Sequence, residues 1–408
     1  MIASPPANPT TLHASDAALR AIAEKVDHGR RLSAEDGEVL FTTPDVWSVC
    51  QLADTVRRRM HGNAAYYNIN RHLNYSNICA LSCKFCAFYR KKDDEGAYQL
   101  SVEEIAKQAR AAQDAGATEI HIVGGLHPWL PFQYYTDMLH AIRNSAPELH
   151  IKAFTAVEIV HLARISKRGK DKYEGIKTVL RELQNAGLGS LPGGGAEVFD
   201  DRVHDEAFKG KIRSDQWLDV HRAAHELSMN SNATILYGHI ETISDRIHHM
   251  ELLREEQDRA LEAIGYQRDD DGAVTLSGNN AQPTPDSAKG GYFQTIIPLP
   301  FFPDESELEH LAGPSGLDNL RMLAVSRLML DNFPHVKAFW IMQTIAMAQL
   351  MLQSGADDID GTVVWYDITK VGGADTHQET TVWDLTRAIR EAGFAPIERD
   401  TLYRRVER

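Results

Sequence analysis

The sequence is poor in cysteine and in basic residues, and it has no long apolar run. Four cysteines among 408 residues are too few for a disulfide scaffold. Lys and Arg number 43 against 57 Asp and Glu, and the net charge of −14 excludes a nonspecific binder of nucleic acid or anionic membranes. The most apolar stretch, residues 338–352, contains Gln343 and Gln349 and is too short to cross a bilayer. The N-terminus lacks the pattern of a signal peptide, so we expect a soluble cytoplasmic protein.

What the sequence does contain is a regular alternation of strand and helix patterns after residue 62. Hydrophobic residues make up 43% and charged residues 25%, as in an ordinary globular enzyme. Eight short apolar segments read as buried parallel strands with helices between them. They begin near Tyr66, Glu119, Ile151, Leu188, Ala233, Phe293, Val336 and Asp357. Eight such repeats predict an α/β fold, a closed (β/α)8 TIM-type barrel rather than an open sheet.

Two terminal segments flank the predicted barrel. Residues 1–62 read as an N-terminal helical extension, and residues 63–395 as the barrel, with a polar surface insertion near 267–291. Residues 396–408 are expected to form a solvated C-terminal tail. Cys50 falls on the apolar stripe of a helix in the extension, so we interpret it as a small core residue rather than a ligand.

The other three cysteines follow the first predicted strand within a span of eight residues. Cys79, Cys83 and Cys86 have the spacing C-x3-C-x2-C. Because barrel active sites lie at the C-terminal ends of the strands, this loop is a candidate metal site. Zinc would need a fourth ligand such as His72 or His127. A [4Fe–4S] cluster on three cysteines would instead keep one iron open for catalysis.

This spacing, with Phe85 just before the third cysteine, resembles that of the radical S-adenosyl-L-methionine (SAM) superfamily. The resemblance implies a [4Fe–4S] cluster on the three cysteines, with SAM chelated by the open iron and cleaved by one electron to a 5′-deoxyadenosyl radical. Phe85 would lie against the adenine or the cluster, with loop packing as the alternative. A one-electron reductant of flavodoxin or ferredoxin type is implied as a partner, and we also consider a homodimer.

Other predicted strand ends resemble the same superfamily. Gly124 and Gly125 follow the second strand, where related enzymes use a Gly-Gly backbone to receive the methionine amino group, and glycine permits that close approach. Glu197 follows the fourth strand. Glu241 follows the fifth, in a G-x-x-E stretch like the one that lies beside the adenosyl group in the superfamily. The resemblance implies SAM binding by both glutamates, and a helix cap or an ion pair is the structural alternative for each.

The motifs are most similar to the menaquinone and deazaflavin branch of this superfamily. The similarity runs from about Leu40 to Tyr403, and the stretch Val123–Pro128 is most like the aminofutalosine synthases. The implied reaction adds the 5′-deoxyadenosyl radical to the enol ether of 3-[(1-carboxyvinyl)oxy]benzoate, with rearrangement and decarboxylation, and consumes SAM as a co-substrate. Sister enzymes, the dehypoxanthine futalosine cyclase and the FO synthase subunits, are the second hypothesis. A zinc-stabilised binding protein without catalysis is the third.

The implied small-molecule substrate has two carboxylates, so its pocket must contain cations or hydrogen-bond donors. His127 and His239 lie at predicted strand ends and are candidates for binding the substrate or the ribose. Hydrogen bonding to loop backbone is the alternative for both. Four basic residues lie near the motifs, and the sequence does not choose among them: Lys84, Arg90, Arg213 and Arg246.

Overall fold

The structure is a computed structural model that describes residues 17–277, 285–286, 288–362 and 379–408. Parts of the predicted N-terminal extension and of the predicted insertion therefore lie outside the described residues.

Three helices precede the barrel: α1 (Ala17–Asp27), α2 (Ala34–Thr42) and α3 (Val46–His61). Ser33 and Asp36 form a capping box that fixes the start of α2. Cys50 is buried in the core on α3, as its position on the apolar stripe predicted. The helical character of the N-terminal extension is therefore confirmed.

Parallel strands follow and form the barrel wall. The order β3–β2–β1–β7 makes one part of the wall and β4–β5–β6 makes the other. The strands are β1 (Ala64–Asn74), β2 (Glu119–Val123), β3 (His150–Ala153), β4 (Ser231–Tyr237), β5 (Phe293–Pro300), β6 (His335–Val336), β7 (Asp358–Thr362) and β8 (Ala395–Glu398).

Single residue bridges join the two parts of the wall. Ser190 pairs with Lys152 of β3, and the adjacent Leu191 pairs with Ser231 of β4, so the predicted fourth strand is reduced to these two residues. Pro192 follows at once and has no N–H with which to extend the ladder. A bridge from residue 337 to residue 358 joins β6 to β7. Eight positions thus close a ring, and the predicted barrel is confirmed.

Helices cover the outside of the barrel between successive strands. Ser101 and Glu104 cap the first of them, as the capping-box pattern indicates. The helices are α4 (Val102–Asp114), α5 (Phe132–Ser145), α6 (Ala156–Ile165), α7 (Lys172–Ala186), α8 (Asp201–Ala207), α9 (Ser214–Glu226), α10 (Ile243–Ala263), α11 (Gly316–Met329), α12 (Trp340–Leu352) and α13 (Val382–Glu391). Among the described residues, no helix has the length and apolar character needed to cross a membrane.

The C-terminal segment is not the solvated tail that we expected. β8 pairs in parallel with the first half of β1, from Ala64 opposite Ala395 onward. Arg399 follows β8, is 1% exposed and lies 2.6 Å from the Asp358 carboxylate. A partner 41 positions away in the chain leaves no local sequence signal. Residues 395–398 therefore belong to the sheet, and the other domain boundaries remain predictions.

The segment near 267–291 is also less exposed than its polar composition suggested. Val274 and Leu276 are buried and pack with Leu261 of α10 and with Tyr292 in a small separate core. The expectation of a purely polar surface insertion is wrong for these residues. Val274 and Leu276 thus anchor the neighbouring described residues against α10.

Candidate active site

A cavity of about 300 Å3 opens at the C-terminal ends of the strands. Its wall includes the cysteine loop after β1, the end of β2 and the loops that follow β3, Leu191 and β5. The sequence-predicted residues that line it are Cys79, Cys83, Phe85, Cys86, Gly124, Gly125 and Glu197. In a parallel barrel the C-terminal ends of all strands lie at one rim. This rim therefore brings together residues more than 110 positions apart in the chain, such as Cys79 and Glu197.

The cysteine loop is closed at its base and anchored to a neighbouring helix. Cys79 N–H donates to the Arg90 carbonyl at 3.0 Å, and Arg90 N–H donates to the Asn77 carbonyl at 2.9 Å. At the tip of the loop, Lys84 N–H donates to the Ala207 carbonyl at the end of α8, at 3.0 Å. These bonds hold the three thiols in place without any metal.

The thiols lie in surroundings that suit metal binding. Cys79 Sγ accepts the N–H groups of Leu81 and Leu126, both at 3.4 Å, and such donors stabilise a thiolate. Burial raises the pKa of Cys83 to about 11 and raises the pKa of Cys86 above its ordinary value. Thiols with these pKa values keep their protons at neutral pH unless a cation displaces them. The loop therefore needs a strongly bound positive centre to become a set of thiolate ligands.

The spacing of the thiols does not suit a single zinc ion. In the described part of the chain, the one set of three metal-ligating side chains with all ligand atoms within 4.8 Å of one another is His61, His335 and Asp357. The three sulfurs of the loop are more widely spread, whereas Zn–S bonds of about 2.3 Å place sulfurs about 4 Å apart. Of the two histidines considered as a fourth zinc ligand, His127 does not line the cavity, whereas His72 does. This spread favours a multi-iron cluster.

Gly124 and Gly125 are required by the close packing of the β2 end against the cysteine loop. A Cβ on Gly124 would lie 2.6 Å from the Tyr75 ring, and a Cβ on Gly125 would lie 2.8 Å from the Ile78 carbonyl carbon and 3.1 Å from Cys79 Cβ. No described residue donates a hydrogen bond to the Gly124 carbonyl oxygen, whereas the Gly125 carbonyl accepts the Tyr75 hydroxyl at 3.2 Å. The Gly124 carbonyl is thus available to a ligand.

Glu158 is a cavity residue that the sequence reading missed. Its Oε1 accepts the Tyr75 hydroxyl at 2.8 Å and the Gly124 N–H at 3.1 Å, while Oε2 accepts the Thr155 N–H at 2.8 Å as the capping box of α6. Burial raises the pKa of Glu158 to about 7, against the hydrogen bonds that favour its charged form. The carboxyl therefore changes charge near neutral pH beside the glycine pair.

Glu197 lies in the cavity next to Lys211. The two side chains form an ion pair, and the Lys211 ammonium lies 4.9 Å from the centre of the Phe85 ring. Burial by itself would lower the pKa of Lys211, and the Glu197 carboxylate more than offsets this, so the pKa is raised. Glu197 has φ +46°, a left-handed conformation that non-glycine residues rarely adopt and that is enriched at functional sites.

Glu241 and His239 do not line the cavity, contrary to the expectation that they bind ligands there. Both Glu241 oxygens are used by the protein: Oε1 accepts Arg246 Nη2 at 2.6 Å and the Gly238 N–H at 2.6 Å, and Oε2 accepts the His239 N–H at 2.9 Å. The His239 ring contacts the Leu236 carbonyl through Nε2 at 3.1 Å. This geometry corresponds to the structural alternative for both residues.

His127 is also used by its own loop. Its Nδ1 accepts the N–H groups of Trp129 and Leu130 at 3.3 and 3.2 Å. Hydrogen bonding to loop backbone, the alternative weighed for this histidine, is what the structure has. A role in substrate binding finds no support in this arrangement.

The four basic residues that lie near the motifs in the sequence are all described by the structure, and none of them lines the cavity. Arg90 donates to two carbonyls of its own loop, Arg213 pairs with surface aspartates, Arg246 binds Glu241 and Lys84 is exposed. The lysines that do line the cavity are Lys152, Lys211 and Lys337.

Comparisons with known proteins bear on what this cavity does. Residues 73–253 match the family model described as the radical SAM superfamily, and residues 289–408 match that of the CofH/MqnC C-terminal region. A Thermus thermophilus protein named aminodeoxyfutalosine synthase is 40% identical over 395 residues, which cover 96% of each chain. The chain belongs to the radical SAM superfamily.

One further sequence relative and one solved structure are similar to this radical SAM enzyme. A Methanopyrus kandleri protein named 5-amino-6-(D-ribitylamino)uracil--L-tyrosine 4-hydroxyphenyl transferase is 33% identical, covering 95% of each chain. The crystal structure of methylornithine synthase (PylB) superposes with a TM-score of 0.67 over 92% of this chain and 97% of that one, at 16% identity. The Methanopyrus kandleri protein shows that a relative at 33% identity is named for a different reaction. The methylornithine synthase structure supports the barrel fold.

The cofactors of a radical SAM enzyme are a [4Fe–4S] cluster and SAM, and the residues present fit them. Three thiols, one of which accepts two backbone N–H groups, lie at the mouth of the cavity, too far apart for one zinc ion, and a glycine carbonyl to which no described residue donates lies beside them. The enzyme acts on a small molecule, and the cavity has the size for it.

The polar interior of the barrel was missed by the sequence reading. His72 of β1 and His121 of β2 have ring centres 4.3 Å apart, and burial lowers the pKa of His72 to about 4. Lys152 of β3, Lys337 directly after β6 and Asp360 of β7 line the same cavity. The available signal was the polar residues at alternate positions of β1, β2, β3 and β7.

Proposed function

We propose that this radical SAM enzyme forms aminofutalosine in menaquinone biosynthesis. In the proposed reaction, a 5′-deoxyadenosyl radical adds to the enol-ether double bond of 3-[(1-carboxyvinyl)oxy]benzoate, followed by rearrangement onto the arene and loss of the carboxylate carbon. The observation that carries the proposal is the 40% identity with the Thermus thermophilus protein, which extends over almost the whole of both chains.

We assign the cluster to Cys79, Cys83 and Cys86, because these three share one loop at the cavity mouth whereas Cys50 is buried in α3. When bound, the cluster and SAM supply the 5′-deoxyadenosyl radical. The N–H groups of Leu81 and Leu126 that reach Cys79 Sγ would fix the position of this ligand.

The remaining cofactor residues would position SAM. The Gly124 carbonyl can accept the methionine ammonium, because no described residue donates to it. The Glu197 carboxylate, which forms an ion pair with Lys211, can accept hydrogen bonds from ribose hydroxyls or from the ammonium. Phe85 lies in the same wall, beside Lys211, where it can pack against the nucleoside or the cluster.

The apolar part of the cavity would protect the radical. Phe301 and Phe302 follow β5, Phe339 and Met342 lie at the start of α12, and all four line the cavity. Aromatic side chains exclude water and fix the orientation of an aromatic substrate. Holding the enol ether close to C5′ is then the main contribution of the barrel to the rate.

The alternative is a sister reaction in which the radical abstracts hydrogen. The Methanopyrus kandleri relative, which is 33% identical and is named for a different reaction, supports considering it. Anaerobic turnover with SAM, reductant and the enol ether, read by mass spectrometry, tests the proposal. We expect a product that retains the adenosine carbons, with methionine formed in equal amount. Release of 5′-deoxyadenosine without such a product would contradict the proposed reaction. Cys83→Ala protein is the control for chemistry that does not need the cluster.

We further propose that a protein of flavodoxin or ferredoxin type supplies the electron and that the enzyme is cytoplasmic. For the oligomeric state, we consider a homodimer beside a monomer. Metal-binding thiols require a reducing compartment, which supports the location. Turnover with reduced flavodoxin in place of dithionite tests the donor. Light scattering of the cluster-loaded enzyme gives the oligomeric state.

A further inference from the structure

Two lysines lie in the interior of the barrel, below the cysteine loop. Lys152 is on β3 and Lys337 directly follows β6, and their side chains are only 5% and 3% exposed. Both line the cavity. Fully buried lysines are rare in proteins, so this position calls for a partner of opposite charge or a function.

Each lysine is held by one carboxylate of a neighbouring strand. Lys152 Nζ lies 2.6 Å from Glu119 Oε1, and Lys337 Nζ lies 2.7 Å from Asp360 Oδ1. An ammonium has three N–H donors. Since no second acceptor reaches either Nζ among the described residues, each lysine has donors left for a ligand in the cavity.

A third buried pair shows what a purely structural ion pair looks like in the same barrel. Arg399 binds Asp358 through Nε at 2.7 Å and Nη2 at 2.6 Å and also donates to the Asp400 carbonyl. Neither Arg399 nor Asp358 lines the cavity. The lysine pairs differ in both respects, because they face the cavity and each lysine uses a single acceptor.

The backbone at Asp360 is a separate observation that points to this site. Asp360 has φ +69° within β7, a conformation that costs about 1 kcal/mol or more for a residue with a Cβ. Its N–H donates to Asp358 Oδ1 at 2.6 Å. Strained residues of this kind are concentrated at ligand sites, where they aim a side chain.

An apolar surface adjoins the two ammonium groups. Phe339 follows Lys337 by two residues, and its ring centre lies 6.4 Å from that of His72. Ile297 and Leu299 of β5 line the cavity beside it. Two cations next to an aromatic wall are complementary to an aromatic ring that carries two carboxylates.

We infer that Lys152 and Lys337 bind the two carboxylates of an aromatic dicarboxylate substrate. This inference rests on the proposed function for the identity of that substrate and names the residues that recognise it. Glu119 and Asp360 then act as positioning residues, which hold the two ammonium groups in place.

The test is equilibrium binding of an unreactive probe, 3-(carboxymethoxy)benzoate, to the cluster-loaded enzyme with SAM. Removing a lysine alone would leave a buried carboxylate unpaired, so each pair is neutralised together, in Lys152→Met with Glu119→Gln and in Lys337→Met with Asp360→Asn. We expect each double variant to bind the probe about 10- to 100-fold more weakly, with iron content and SAM affinity unchanged. The matched control is Lys107→Met on the exposed face of α4, which should bind the probe as the parent enzyme does.

Two smaller probes separate a carboxylate contact from a general loss of structure. 3-Methoxybenzoate keeps only the ring carboxylate and phenoxyacetate keeps only the side-chain carboxylate. Each double variant should weaken the binding of one of them and leave the other close to the parent value. Asp360→Asn alone keeps the Lys337 ammonium but removes the carboxylate that positions it, so it should weaken binding of the dicarboxylate, by less than Lys337→Met with Asp360→Asn does. Equal weakening of both small probes, or parental binding of the dicarboxylate by both double variants, would overturn the inference.

The same measurements distinguish this inference from the proposed function. If the parent enzyme forms aminofutalosine and both double variants still bind the probe, the lysine inference alone is wrong. If the parent enzyme binds the probe through the lysines and forms no aminofutalosine, the proposed reaction is wrong and the recognition of an aromatic dicarboxylate stands. A parent enzyme that does not bind the probe contradicts the lysine inference, and turnover with the enol ether decides the proposed reaction separately.

Discussion

Arg246 binds Glu241 through two nitrogens, with Nε 2.8 Å and Nη2 2.6 Å from the same carboxylate oxygen. This pair ties the loop after β4 to the first turn of α10, and the Glu241 side chain is fully buried by it. Glu197, which follows the preceding position of the barrel wall, faces the cavity instead and pairs with Lys211. Two glutamates that look alike in the sequence therefore lie in different surroundings.

Glu197→Gln and Glu241→Gln should differ in their effect on SAM binding. Glu197→Gln should weaken SAM binding about 10- to 100-fold, because a charged hydrogen bond contributes about 1.5–3 kcal/mol. It should also lower the free energy of unfolding, because it leaves the largely buried Lys211 ammonium without its partner. Glu241→Gln should leave SAM affinity nearly unchanged and lower the free energy of unfolding by about 3 kcal/mol, because it removes one partner of a buried ion pair. SAM affinity by equilibrium dialysis and stability by urea unfolding measure the two effects. Weakened SAM binding in Glu241→Gln with unchanged stability would reverse the assignment.

The cysteines separate into three that hold iron and one that does not. Alanine at Cys79, Cys83 or Cys86 should each abolish the brown colour, with iron and sulfide below a full cluster. Cys50→Ala should keep full iron content and lower the free energy of unfolding by about 1 kcal/mol, as for the loss of a small buried group. Metal analysis and visible absorbance of anaerobically reconstituted protein give the answer. Loss of iron from Cys50→Ala at normal stability would contradict the assignment.

The barrel and the rim of the site could be predicted from the sequence, because both depend on local patterns. Short apolar segments with helices between them identified the strands, and the cysteine spacing and the glycine pair mark strand ends. Even the fourth strand, which has only two paired residues, is predicted around 188–191 because a helix closed by Gly187 precedes it.

The floor of the cavity could not be predicted in the same way. Lys152 pairs with Glu119 on the neighbouring strand, and Lys337 with Asp360, so each residue alone reads as a polar interruption of a strand. Arg399 was placed in a solvated tail because its partner Asp358 is adjacent only in the fold. Pairs of this type depend on strand register around the ring, which local sequence does not reveal.

Gly125→Ala should loosen the cysteine loop. The added Cβ would lie against the Ile78 carbonyl and 3.1 Å from Cys79 Cβ, so the loop must shift, at about 1–3 kcal/mol. We expect less iron retained after gel filtration and weaker SAM binding. The matched control is Gly169→Ala, where the nearest atom, Arg164 Cγ, would be at an ordinary 3.4 Å. Full iron retention in Gly125→Ala would mean that the loop adapts to the side chain at no measurable cost.

Glu158 should make the stability of the enzyme depend on pH in the acid-to-neutral range. Burial raises the pKa of Glu158 to about 7 in the folded protein, against 4.5 for the free side chain. Between these values the folded protein binds more protons than the unfolded chain, so the free energy of unfolding falls as the pH rises through this window and levels off above about pH 7. From about pH 5.5 to pH 7 the fall is about 1.5 kcal/mol, because the slope of about 1.4 kcal/mol per pH unit halves as the pH reaches the pKa of the folded carboxyl.

The measurement is anaerobic urea unfolding of the parent enzyme and Glu158→Gln from about pH 5.5 to about pH 8. Because other groups titrate equally in both proteins, the difference between their unfolding free energies isolates Glu158. The unfolding free energy of the parent minus that of Glu158→Gln should fall as the pH rises to 7 and then level off. Glu104→Gln is the matched control, since Glu104 is also the third residue of a capped helix but is exposed, and hydrogen bonds to Ser101 lower its pKa. Its difference from the parent should not change in this range. A difference that is equally constant for Glu158→Gln would show that this carboxyl is already ionised at pH 5.5, held as an anion by Tyr75, Thr155 and the Gly124 N–H.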